Sequence, residues 1–327
     1  PLLKYFKAET FGRRVVKSTC TGNVHSVFTA ACNIQTFKGE LVTLLNQTKP
    51  DQPGGIRVAV PEDFSFSDWV KSSDHVFFQP SYLQIEEPNF FIDMRQAAVW
   101  DGRLKIHLTD YSTRSLIHQW EASAGLYLSL VHKNSNSSKG YKTIFSGEYF
   151  LPKLYTLAIK LTAATKKHDW KVIDRTICSL IGFGPGLTPW GDDFLCGFMA
   201  GLESFCHSGD EKKILEYFRN VLFHNIKATG DISRSALNDV INGQHARSVT
   251  DTCRALFDST STLDFSTEAK NLIGTGNTSG EATYLGILSG SAAAIKYGLL
   301  YKKNYKQLMS ALTKKFSLEI GQRVHSA

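Results

Sequence analysis

Read for the spacing of apolar and polar residues, the chain changes character once, near residue 112. Before that point apolar residues come in short β-branched or aromatic runs: Val15-Val16, VHSVFTAA at 24–31, ELVTLL at 40–45, IRVAV at 56–60 and HVFFQ at 75–79. Turn residues such as Pro53-Gly54-Gly55 separate them, so each run predicts a strand. Residues 93–100 (DMRQAAVW) fit strand and helix equally. From Thr113 the period lengthens to that of a helix, with Ser112 as the N-cap of TRSLIHQWEASAGLYLSLVH. A polar run at 133–142, KNSNSSKGYK, predicts a loop or linker. Beyond it the spacing predicts helices over 151–168, 170–181, 189–206, 211–228, 231–242, 246–257, 266–273, 281–300 and 303–316. In the fourth of these, Ile214, Leu215, Phe218, Val221, Leu222 and Ile226 keep the 3.6-residue period well. The class that follows is α+β. It comprises a β-rich N-terminal part over 1–110, a helix and polar linker over 111–142, and a mostly helical domain over 143–327.

Composition narrows this picture. A chain of 327 residues, 42% hydrophobic, buries a sizeable core and is long for one domain. No apolar run is long enough to cross a bilayer, and the best candidate near the C-terminus is broken by Lys296, so no membrane partner is expected. The opening PLLKYFKAETFGRR has no signal-peptide hydrophobic region and no initiator Met, as in a trimmed chain. Six cysteines are scattered without a CxxC pair, which predicts reduced thiols and a cytoplasmic protein. No Cys or His spacing suits zinc. The net charge of +7 comes partly from lysine pairs such as Lys166-Lys167 and Lys212-Lys213 on polar helix faces. Such pairs read as solvated faces, so nucleic acid is not an expected partner.

The candidate chemistry lies in GFGPGLTPWGDD, residues 182–193. Gly182, Gly184 and Gly186 permit tight turns and close backbone approach to a ligand. Thr188-Pro189 matches an N-cap followed by proline at the first helical position. A turn feeding a helix start offers unpaired N–H groups and a positive dipole end to a phosphate or carboxylate. The segment is neither a Walker A loop, which needs a lysine, nor a dinucleotide fingerprint, since it carries Pro185 and follows a helical pattern. The competing reading is a helix–turn–helix joint with a glycine C-cap.

A second segment, IGTGNTSGEATYLGILSG at 273–290, echoes the first. Aligned on Gly191 and Gly280, an acid follows each (Asp192, Glu281), and Gly197 matches Gly286 as Gly201 matches Gly290. Each glycine pair has i,i+4 spacing and so lies on one helix face, which suits close helix packing. If the two helices run parallel, their starts bring both loops to one place. The ligand-binding set is then Gly184, Gly186, Leu187, Thr188 and Gly191 with Asn277, Thr278, Ser279 and Gly280. Asp192 and Asp193 diverge by about 100° on the helix, so one of them is expected to face the site, as a hydrogen-bond acceptor or a holder of Mg²⁺ against phosphate. A general-base role looks weaker, because a helix N-terminus lowers a carboxylate pKa. His25 and Ser26 in VHSVF are a catalytic and a ligand-binding candidate, against the plainer reading of a packed strand histidine. In 229–244, Thr229, Ser233 and Ser235 stand at a helix start, and Arg234 is the nearest cation for an anion; capping and a surface arginine are the alternatives.

Together these residues resemble the AllH-like family. The loop from Gly182 to Asp193, the Thr278-Ser279-Gly280 segment leading into Leu285-Gly286, the stretch from Ser235 to Gly243, and the early His25, Ser26, Phe28 and Asn33 carry the likeness. It is strong over about 150–290 and thin over the first 140 residues. Trp190 stands where a small residue is expected. The resemblance implies a subunit of an oxamate carbamoyltransferase in allantoin breakdown, acting with FdrA-like and AllG-like subunits. That enzyme converts oxalurate and phosphate to oxamate and carbamoyl phosphate, so the ligand is a small anionic substrate. An oligomer is compatible with the pattern. Two rivals stand beside this reading: a non-catalytic assembly subunit, and a stand-alone enzyme of small acids or phosphates.

Overall fold

The computed structural model describes residues 4–15, 18–87, 89–108, 113–137, 150–206, 209–276 and 278–294. The chain divides into two compact units, Pro1–Arg103 with Asn242–Ser248, and Leu104–Ile241 with Val249–Ala327. The class is α+β, with strands in the first hundred residues and nine α-helices after them among the described residues.

The first unit holds strands β1 (Lys4–Gly12), β2 (Cys20–Val27), β3 (Ala31–Thr36), β4 (Leu41–Asn46), β5 (Gly55–Ala59), β6 (His75–Gln79), β7 (Tyr82–Ile85), β8 (Phe90–Asp93) and β9 (Ala98–Trp100). They form one sheet in the order β5-β4-β3-β2-β6-β7-β8-β1-β9, and a β1–β5 pairing closes it into a barrel. Closure removes the open edges that a sheet otherwise exposes. β1 serves two neighbours on one side: Lys4 to Lys7 run beside β8, and Thr10 to Gly12 beside β9. Alternate residues turn inward, so Val76 and Phe78, Leu83 and Ile85, and Phe90 and Ile92 meet in one core with Ile34, Leu44, Val58 and Phe66. The segment 242–248 is tied into this unit. Arg247 Nε donates to the buried Asp51 at 2.7 Å, and His245 N donates to Gly102 O at 2.9 Å.

Three of the five expected runs coincide with β4, β5 and β6; the run 24–31 instead covers the end of β2, the turn at 28–30 and the first residue of β3. Val15 lies in a turn after β1, and Val16 lies outside the described residues. β1, β3 and β7 carry polar positions that dilute the alternation, and β8 is a short apolar run outside the expected set; β9 lies within the ambiguous 93–100.

The second unit holds α1 (Thr113–Ser137), α2 (Phe150–Lys167), α3 (Trp170–Leu180), α4 (Trp190–Glu203), α5 (Gly209–Asn225), α6 (Asp231–Ile241), α7 (Arg247–Phe257, its first two residues counted with the first unit), α8 (Phe265–Ile273) and α9 (Ser279–Ala294). Most of these match the expected helices. One expectation is corrected: α1 runs through Ser137, into the polar stretch read as a linker, continuing the helix that starts at Thr113 although Asn and Ser are weak helix formers. Residues 138–149, the Ser112 cap, and everything from 295, including the helix expected at 303–316, lie outside the described residues. α9 is the centre of the unit, buried on every side from Ala282 to Ala292. A helix apolar all round belongs in such a place. Trp120 Nε1 of α1 donates to Leu288 O at 3.0 Å, and Tyr127 stacks on Tyr284.

Candidate functional site

The two glycine-rich segments are the joints of two similar hairpins, α3–α4 and α8–α9. In each, the glycine opening the second helix lies against the carbonyl that ends the first. A Cβ on Gly191 would stand 1.9 Å from Leu180 O, and one on Gly280 would stand 1.9 Å from Leu272 O. No other residue fits either place. The amides of these two glycines are occupied as well: Gly191 N donates to Phe183 O (2.8 Å) and Gly280 N to Thr275 O (3.0 Å). Both were expected to donate to a ligand; their amides are spent on the turn instead. Gly182 and Gly184 take φ of +72° and +111°, the left-handed region that glycine alone enters cheaply.

The helices after the joints run parallel and nearly touch. A Cβ on Gly197 would meet Thr283 O at 1.9 Å, one on Gly201 would meet Ile287 O at 2.3 Å, and Gly286 and Gly290 face Phe194 O and Phe198 O in turn. Both members of each pair advance together along their helices, so the two N-termini lie side by side. Thr188 Oγ1 and Ser279 Oγ join the loops at 2.8 Å. Here the helix-cap expectation is corrected. Pro189 occupies the N-cap place, no side chain caps α4, and Thr188 spends its hydroxyl on the other loop.

Around this seam the backbone N–H groups of Gly186, Leu187, Thr188, Trp190, Thr278 and Ser279 make no hydrogen bond among the described residues. They sit at two parallel helix starts, where the dipoles add and favour negative charge. Gly186 (φ +99°) has open space beside it, and Leu187 at the loop tip is 61% exposed. Asn277 lies outside the described residues.

The two aspartates part company. Asp192 is buried, accepting from Gly182 N (2.9 Å) and Thr229 Oγ1 (2.5 Å), with the Ser233 hydroxyl nearby but out of hydrogen-bond geometry. Asp192 therefore holds the loop to the turn before α6. Asp193 turns to the seam, where the hydroxyls of Ser279 and Thr188 face it. Its Oδ2 is shut from solvent without a partner. Burial pushes Asp193 up from 3.8 to about 7, aided by Asp192 and opposed by the two hydroxyls, and burial raises Asp192 too. The expected lowering at a helix start is thus reversed, because exclusion of water outweighs the dipole. Cys196 lies one turn along α4. Burial and the carboxylates of Asp193, Asp192 and Asp239 push its thiol well up, which favours the protonated form. This grouping was missed, though the i+3 and i+4 spacing of Asp193 and Asp192 to Cys196 could have flagged it.

The other candidates fall as follows. Arg234 pairs with Asp231 (2.9 Å) and donates to Thr229 O (2.9 Å), so it is engaged locally; Ser235 is half-buried on α6. Trp190 is buried against Phe150 and so fills the core instead of reshaping the loop's outer face. His25 and Ser26 belong to the barrel unit, on β2, with His25 Nδ1 3.1 Å from Ser26 Oγ. Among the described residues no trio of His, Cys, Asp or Glu gathers to hold a metal, and no helix is long and apolar enough to cross a membrane.

Comparison with known families gives two matches. A family model described as oxamate carbamoyltransferase subunit AllH matches residues 180–291, which contain both hairpin joints. A model of the AllH family N-terminal domain matches residues 3–99, the barrel. No curated protein and no solved structure matches the chain.

Proposed function

The chain belongs to the AllH family, and from that premise we propose that its paired loops are the anion-binding part of an oxamate carbamoyltransferase. The observation that carries this reading is the row of unbonded amides at two adjacent helix starts, at Gly186, Leu187, Thr188 and Trp190 and at Thr278 and Ser279. Phosphate, oxalurate, oxamate and carbamoyl phosphate are all small anions that such donors hold. Gly184 shapes the turn by its positive φ, and Leu187 stands ready to cover a bound ligand or meet a partner subunit.

The chemistry needs a proton moved. Phosphate attacks the carbamoyl carbon of oxalurate, the C–N bond breaks, the departing oxamate nitrogen gains a proton, and the phosphate loses one. The loop amides stabilise the oxyanion of the tetrahedral intermediate. Asp193, poised near neutrality by burial, carries the proton between the two. Mg²⁺ would bind the charged form of Asp193, so metal and proton compete for the same Oδ2. We infer partners of the FdrA-like and AllG-like kinds on the family's description as a subunit, and a cytoplasmic location on six scattered cysteines without a CxxC pair.

Calorimetry with phosphate, oxamate and carbamoyl phosphate tests the reading. Ser279→Ala and Thr188→Val each remove a hydroxyl beside the anion and are expected to weaken binding about 10-fold or more, since a hydrogen bond to a charged group contributes roughly 1.5–3 kcal/mol. Gly186→Val, strained at its positive φ, should abolish binding. Equal affinities across the three variants and wild type would refute the site.

A further inference from the structure

One pair of residues in the barrel unit is left unused by the loops. Neighbours on a strand ordinarily point to opposite faces, yet His25 and Ser26 bring their side chains together at 3.1 Å. The cause is a bulge in β2. Val24 pairs with Ile34 and Ser26 with Asn33, so His25 is the extra residue. A bulge of this kind re-aims one side chain, and bulges are frequent beside active sites. The Ser72 hydroxyl donates to His25 O at 3.0 Å and holds the bulge from the other side.

Three more contacts give the pair a direction. Ser26, Asn33 and Thr43 form one cross-strand row over β2, β3 and β4, on the face opposite Cys32 and Ile34, which enter the core. Thr43 Oγ1 donates to Asn33 Oδ1 (2.8 Å), and Asn33 Nδ2 donates to Ser26 Oγ (3.0 Å). Asn33 is 6% exposed, so this orientation is fixed. With one lone pair of Ser26 taken by Asn33, its own proton is directed at His25 Nδ1. A neutral imidazole accepts there and carries its hydrogen on Nε2. A hydroxyl aimed at a base and held by a third group is the arrangement of an activated nucleophile.

We propose that Ser26, with His25 as its base, is a nucleophile that accepts a carbamoyl group from an activated donor. This gives the barrel unit a reactive site of its own. Oγ bonds to the carbonyl carbon, the bond to the leaving group breaks, and the hydroxyl proton passes to His25 Nδ1 and on to the departing group. With carbamoyl phosphate as donor the leaving group is phosphate; that choice of donor rests on the function proposed for the loops. Asn33 and Thr43 are positioning residues.

The full chain, incubated with p-nitrophenyl carbamate, should release p-nitrophenolate in a stoichiometric burst and gain one carbamoyl group, mapped to Ser26 by peptide mass spectrometry. Ser26→Ala should show no burst. His25→Gln should slow it about 100-fold or more, the scale of general-base help. Asn33→Ala should slow it at unchanged melting temperature, and Thr43→Ser, which keeps the hydroxyl, should retain the wild-type rate. An adduct elsewhere, no adduct on folded wild type, or equal rates in wild type and His25→Gln overturns the proposal. Ser279→Ala separates the two ideas. A Ser26 adduct on wild type whose phosphate affinity is unchanged by Ser279→Ala leaves the barrel site standing and the loop reading refuted, and phosphate binding that Ser279→Ala weakens, with no adduct on wild type, does the reverse.

Discussion

Asp193→Asn should make the protein more stable, and only above pH 4. In the folded chain burial holds the Asp193 carboxyl at about 7 against 3.8 in the unfolded chain. Below pH 4 both states are protonated and the residue contributes no difference. Between pH 4 and 7 the folded state keeps a proton that the unfolded state releases, so wild-type stability falls as pH rises; above 7 the loss is complete. The full displacement corresponds to roughly 4 kcal/mol, and solvent at the exposed edge of the residue screens this to about 2 kcal/mol. An amide avoids the charged form, and its NH₂ can donate to the hydroxyls of Thr188 or Ser279 where Oδ2 now has no partner. Urea unfolding at closely spaced pH values, followed by tryptophan fluorescence, should therefore show the two proteins level at pH 4. The variant should lead by about 2 kcal/mol at pH 8, or roughly 5 °C in thermal midpoint. The same variant should bind phosphate and fail to turn over, since it cannot carry the proton. A stability gap that is flat with pH, or that widens toward acid, would refute the account of Asp193.

Three further outcomes follow from the packing. Gly197→Ala and Gly286→Ala each drive a methyl to within 2.2 Å of a backbone carbonyl across the α4–α9 crossing, and should cost upward of about 3 kcal/mol in urea titrations. Gly125→Ala, on an exposed stretch of α1 with nothing within 4 Å, should instead stabilise by about 0.5–1 kcal/mol by the same measurement. Thr229→Val leaves the buried Asp192 without its shortest hydrogen bond, and should lower stability by about 1.5–3 kcal/mol while loosening the loop, seen as faster amide exchange at Gly182.

What the sequence by itself determined is what short-range order can write. The switch from strand to helix patterning separated barrel from helices, because period 2 and period 3.6 are properties of neighbouring residues. The glycines at 182–201 and 274–290 announced two matching joints and a close helix crossing, since a missing Cβ is the residue-level mark of contact between backbones. Closure of β1 on β5 was invisible, being a pairing of residues some fifty positions apart whose pattern is that of any strand. The side chains were decided later still. Asp192 and Asp193 look equivalent in the sequence, yet one ties Gly182 to Thr229 and the other faces Ser279. Thr188 reads as a helix cap and serves as a bridge. His25 and Ser26 read as opposite faces of a strand until a bulge turns them together. In each case the deciding quantity is water exclusion or hydrogen bonding by groups distant in the chain. Those appear only when the helices and strands have packed.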